Sequence, residues 1–107
     1  MTMKHAFLIM AHGSLPLLRV LLSMLDDERN DIFLHIDRKS DMLDGAEPLV
    51  LSKARLFLLE QRVDVRWGNL SQIKAEYVLF EEALKHGPYA YYHLLSGQDL
   101  PIKSQDY

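Results

Sequence analysis

Two carboxylates stand where an α/β chain could use them. Asp37 lies in His35-Ile36-Asp37-Arg38-Lys39, at the end of an apolar alternation that reads as a strand. Asp99 lies in Ser96-Gly97-Gln98-Asp99-Leu100-Pro101, just after the strand-like run Ala90 to Leu95. An acid past the carboxyl end of a strand in an open α/β sheet can accept a hydrogen bond from a ribose hydroxyl or a base N–H. Arg38 and Lys39 could pair with Asp37 or contact a phosphate. The plain alternatives are an exposed charged turn for Asp37 and a turn or cap acid for Asp99. Two such acids favour a ligand-facing edge more than either does alone. His12 opens a third candidate, Ala11-His12-Gly13-Ser14. Backbone amides at a helix start can hold an anion. The Gly-rich dinucleotide fingerprint is absent, however, because one glycine stands here instead of three. A turn with Gly for conformation and Ser as a cap explains the same residues. Trp67, beside Gly68, falls between a strand and a helix. Its ring could stack on a base or sugar, or anchor the core.

These residues need a sheet to position them, and the sequence supplies one. Ala6 to Ala11 is a continuous apolar run, the pattern of a strand buried on both faces. Ser14 can cap the following helix and Pro16 fits its first turn. Leu17, Leu18, Leu21, Leu22 and Leu25 then recur at helical spacing. Asp31 to Asp37 is the second strand. Ser40 to Leu49 is polar with Gly45 and Pro48, a loop. Arg55 to Leu59 is the third strand, and Val63 to Trp67 is expected as a short fourth. Leu70 to Lys85 is a helix with Leu70, Ile73, Tyr77, Phe80 and Leu84 as its apolar stripe. His86-Gly87-Pro88 stops it, and Ala90 to Leu95 is the last strand. The expected fold class is α/β, with an open, mostly parallel sheet of four or five strands.

Bulk properties narrow the function. A chain of 107 residues makes one domain at most. Its 49% apolar and 25% charged content is ordinary for a globular protein. A net charge of −3 argues against a dedicated nucleic-acid binder, which would show a basic face. Without cysteine there is no disulfide, no thiolate nucleophile and no cysteine-held metal. No apolar run is long enough to span a bilayer, and Ala6 to Ala11 is too short for a signal segment. The expected location is the cytoplasm.

The residues resemble a known family. Ala6 to His12, His35-Ile36-Asp37-Arg38-Lys39, Val65-Arg66-Trp67-Gly68 with Ser71 and Lys74-Ala75-Glu76, and Leu94 to Lys103 occur in its order. It is the core-2/I-branching β-1,6-N-acetylglucosaminyltransferase (Branch) family, glycosyltransferase family 14, with the related peptide O-xylosyltransferases. The similarity covers nearly the whole chain. The His-Ile-Asp-Arg-Lys and Ser-Gly-Gln-Asp-Leu-Pro-Ile-Lys segments are its specific parts.

The resemblance implies a GT-A-type, Rossmann-like nucleotide-sugar domain. The donor would be UDP-N-acetylglucosamine or UDP-xylose. Transfer to a hydroxyl of a glycan or protein acceptor would invert the anomeric carbon. By carry-over, the donor nucleotide would be met by Ile9, His12, Asp37, Arg38, Trp67 and Asp99. Ile9 falls where the first strand touches uracil, and Asp37 matches an acid that contacts uridine. Trp67 falls where branching enzymes carry an aromatic, Tyr there and Trp-Gly in xylosyltransferase-like members. Asp99 stands about where other GT-A enzymes hold a metal-binding Asp-x-Asp, but with one acid only. The branching enzymes resemble this too and work without a metal, so no cofactor is expected beyond the donor itself.

The resemblance also implies a catalytic carboxylate base and diphosphate-binding basic residues further along than Tyr107. Residues 1–107 would then be the donor-binding half of such a domain, a truncated form. Animal members are disulfide-bonded, membrane-anchored Golgi proteins. A chain without either feature is expected to be a bacterial relative, peripheral to the inner membrane at its cytoplasmic side. Two alternatives stay open: a non-catalytic UDP-sugar-binding remnant, and a sirohydrochlorin-type chelatase, which shares only the strand-His-Gly-Ser turn.

Overall fold

A computed structural model describes residues 4–11, 15–41, 43–66 and 70–96. The chain runs β1 (His5–Ala11), α1 (Leu15–Leu25), β2 (Asn30–Ile36), β3 (Arg55–Leu58), α2 (Leu70–His86) and β4 (Tyr91–Ser96). The four strands form one sheet in the order β3-β2-β1-β4, and every pairing is parallel. The α/β expectation holds, and the described sheet is wholly rather than mostly parallel. In register, Ile9 faces Leu34 on one side and Leu95 on the other.

The continuous apolar runs explain the centre. β1 and β2 are covered on both faces, so residues of either parity are buried. Phe7, Ile9, Ile32, Leu34 and Ile36 pack under Leu18, Leu21, Leu22 and Leu25 of α1. Ala6, Leu8, Met10 and Phe33 pack on the other face under Ala75, Leu79 and Ala83 of α2. Each of the fully buried leucines contributes about 1.5–3 kcal/mol relative to exposure.

Two expectations about elements are corrected. The stripe Leu70, Ile73, Tyr77, Phe80 and Leu84 does not face the core; all five side chains are exposed. The sheet beneath α2 already fills the space with Leu8, Met10 and Phe33, and Phe57 and Tyr89 press on the same cluster. The helix therefore approaches through the small side chains Ala75 and Ala83 with Leu79 between them. Residues 61–66 are not a strand. Val63 and Val65 are buried, but their backbone groups bond side chains and a turn instead of a strand ladder.

The entry to β3 is pinned by two acids, Asp26 and Asp31. Asp26, just past α1, accepts hydrogen bonds from the amides of Ser52, Lys53 and Ala54 at 2.8–2.9 Å and from Ser52 Oγ. At the amino edge of the sheet, buried Asp31 accepts from Arg55, Lys4 and Tyr89 Oη. This clasp ties the starts of β2 and β3 to the segment that enters β4. Among the described residues, no helix is long and apolar enough to cross a membrane.

Candidate functional site

Because the four described strands are all parallel, their carboxyl ends share one edge. The order β3-β2-β1-β4 means the chain moves outward from β1 to β3 and then crosses back to β4 on the other side of β1. In open α/β sheets ligands bind beyond the carboxyl ends of the two strands beside such a reversal, here β1 and β4. Asp37 stands at this edge. Its amide donates to Ala11 O, the last residue of β1, at 2.9 Å.

Asp37 is buried, its side chain 8% exposed, and its carboxylate is well engaged. Oδ1 accepts from the Lys39 amide at 3.0 Å, the Lys39 ammonium at 3.3 Å and the Val65 amide at 3.4 Å. Oδ2 accepts from Lys39 Nζ at 3.1 Å. Burial alone would push this carboxyl up; the Lys39 amide, the Lys39 ammonium and the Val65 amide outweigh it and hold it below the usual carboxylate value. A carboxylate offers about four acceptor positions, two per oxygen. Oδ2 takes one partner among the described residues, so it can accept one more hydrogen bond from a ligand hydroxyl or N–H.

Lys39 and its neighbours extend the site. Lys39 Nζ also bonds Asp64 Oδ1 and Val65 O, each at 2.6 Å. The hydrogen bond to Asp64 is the main reason its ammonium titrates higher than usual. Arg62 donates to the carbonyls of Ile36, Asp37 and Ser40 at 2.7–3.1 Å, closing the turn after β2. Val63 N donates to His35 Nε2 at 2.8 Å. That bond needs a neutral ring with its proton on Nδ1. Burial, which pushes the His35 pKa down, favours that form. The Arg66 amide then donates to Ser71 Oγ in the first turn of α2 at 2.8 Å. The backbone on both sides of residues 67–69 is thus held, at Val65 and Arg66 before them and at Ser71 after them.

The other expected nucleotide contacts divide sharply. The Ile9 side chain is fully buried under α1, so it shapes the core and presents no side chain to a ligand. Arg38 is exposed on the turn beside Asp37. His12, Trp67 and Asp99 lie outside the described residues. Of the other histidines, His35 is committed to Val63, and His93 Nε2 lies 2.9 Å from His5 Nδ1. Among the described residues, no three acidic or His side chains stand together as a metal site would require.

Sequence reasoning missed Arg62, His35 and Asp64 as builders of this edge. The signal was the alternation itself. His35 and Asp37 share one face of β2, and Val63 and Val65 share one side of the next buried segment. An alternating apolar-polar run after β3 reads as a strand, whereas its amides answer polar side chains from β2 and the turn that follows.

Comparison with known proteins adds one finding. A family model described as Core-2/I-Branching enzyme matches residues 5–107. No curated protein matches the chain.

Proposed function

The chain belongs to the Core-2/I-branching enzyme family, and so to the glycosyltransferases, which join a sugar donor to an acceptor; from that premise we propose that its carboxyl sheet edge receives the nucleotide of a UDP-sugar. The observation that carries this reading is the remaining acceptor position on Asp37 Oδ2, at the end of β2 and beside the end of β1. A ribose hydroxyl or the uracil N3–H has the donor it needs. Charge-assisted hydrogen bonds of this type are roughly twice as strong as neutral ones. Arg38, exposed next to it, is the cation for the diphosphate. Trp67, His12 and Asp99 are assigned to the donor nucleotide by the family resemblance alone. The donor is UDP-N-acetylglucosamine or UDP-xylose, and the diphosphate charge is met by basic side chains without a metal.

In an inverting transfer, the acceptor hydroxyl oxygen attacks the anomeric carbon opposite the UDP. The new C–O bond forms as the bond to the diphosphate oxygen breaks, and that electron pair leaves with UDP. The hydroxyl proton passes to a carboxylate base that is not assigned among these residues. Asp37 does not take that proton: Lys39 and two amides hold it ionised and aimed at the nucleoside.

Calorimetric titration with UDP tests the reading. Binding is expected, and Asp37→Ala should weaken it by about 10–100-fold, the range of a hydrogen bond to a charged group. Arg38→Ala should weaken UDP but leave uridine nearly unchanged. Absence of heat with millimolar UDP would remove the donor-site proposal. Equal loss of UDP and uridine in Arg38→Ala would remove the diphosphate assignment.

A further inference from the structure

Helix α2 carries two apolar faces and uses one. Ala75, Leu79 and Ala83 lie on the sheet, wholly buried. Leu70, Ile73, Tyr77, Phe80 and Leu84 point away, with exposures of 79, 62, 67, 37 and 67%. Their spacing alternates three and four, the a and d positions of a coiled-coil seam. The apolar surface continues onto β4. Tyr92 and Leu94 pair with Ala6 and Leu8, on the α2 face of the sheet. The Phe80 and Tyr92 rings are 6.2 Å apart, and Leu94 is 40% exposed. Contiguous apolar surface rimmed by charge marks an interaction site.

We infer that this face docks a second copy of the chain through an antiparallel α2–α2 seam. The seam is close to symmetric about Tyr77. Turning a copy end for end sets Leu70 against Leu84, Ile73 against Phe80 and Tyr77 against itself. A two-fold dimer requires such a self-complementary patch. The charges choose the direction. Lys74 and Glu81, both exposed, occupy the two e positions on the solvent flank of the seam. In the antiparallel arrangement Lys74 meets Glu81 of the second copy, and the symmetry makes the contact twice. In a parallel arrangement Glu76, at g, would meet Glu81 of the second copy, a like-charge contact. The antiparallel seam has one cost of its own: Glu76 approaches Glu76 of the second copy near the axis.

Sedimentation of the full 107-residue chain over concentrations up to about 200 µM tests the seam. A reversible dimer is expected. Lys74→Glu and Glu81→Lys should each weaken it by about tenfold, since each converts two attractive contacts into repulsive ones. The double variant Lys74→Glu/Glu81→Lys should return to within about threefold of the parent. Glu76→Gln should tighten the dimer. Circular dichroism checks that these exposed substitutions leave the fold unchanged. A chain that stays monomeric throughout overturns the inference, as does a dimer whose affinity ignores the charge reversals. A double variant weaker than either single one also overturns it.

Discussion

At the scale of single residues, the edge of the sheet is an electrostatic device. Asp37 stays ionised because two amides and the Lys39 ammonium face it, against the desolvation that burial brings. Its pKa is lower in the folded chain than in the unfolded one. Its contribution to stability is therefore complete above the unfolded value, about 3.9, and is lost as pH falls through the folded value. The histidines set a second window. His35 is pushed down by burial, and His93 by burial and by the nearby His5. The unfolded chain takes up these protons first, so stability should fall as pH drops below about 6.5. Urea unfolding at pH 7 and at pH 5 should show the loss. His93→Phe keeps the ring stack on Phe7 and should remove part of it. An unchanged difference between the two pH values in that variant would mean that His93 is not one of the titrating groups.

At the scale of elements, α2 shows that an apolar stripe need not be the buried one. Its core contact is Ala75, Leu79 and Ala83, chosen by the bulk of Leu8, Met10 and Phe33 beneath it. Leu79→Ala should cost about 2–5 kcal/mol, as a large-to-small change at a fully buried site. Tyr77→Ser should change the unfolding free energy by less than about 0.5 kcal/mol at low protein concentration, where a dimer is dissolved. Denaturant titration at a concentration where the chain is monomeric compares the two. A larger loss in Tyr77→Ser than in Leu79→Ala would reverse the assignment of the two faces. The helix and strand boundaries themselves moved little from their sequence reading. β1, β2 and α2 each changed by about one residue per end, the usual spread of helix and strand ends.

At the scale of the whole molecule, the two edges of the sheet divide the work. The amino edge is a clasp centred on Asp31, whose side chain is fully buried. Tyr89 is held un-ionised there, its pKa pushed well up by burial and by its hydrogen bond to Asp31. Asp31→Ala should cost about 1–3 kcal/mol. The cost is not larger because Arg55 and Lys4 are part-exposed and can return to water. The same substitution should leave UDP affinity unchanged per folded molecule, since the donor edge lies at the opposite end of the strands. A changed affinity in the folded variant would show that the two edges are coupled. The carboxyl edge carries Asp37, Arg38 and Lys39, beside the place where the strand order reverses.

By itself the sequence determined the α/β class, the type and order of all six described elements, and the family to which the chain belongs. Those are local or linear properties. Apolar runs report burial on both faces, helical spacing reports α1 and α2, and the motifs around Asp37 and Asp99 can be read in a line. It also singled out Asp37, because an acid at a strand end is visible without coordinates. Only the tertiary structure decided the rest. Strand order, which places the reversal between β1 and β4, depends on pairings between residues far apart in the chain. Which stripe of α2 is buried depends on the volume already filled beneath it. That Val63 and Val65 answer His35 and Asp37 instead of a neighbouring strand depends on side chains about 28 residues away. Periodicity tells that a segment has a partner; packing and hydrogen-bond satisfaction decide which partner it is.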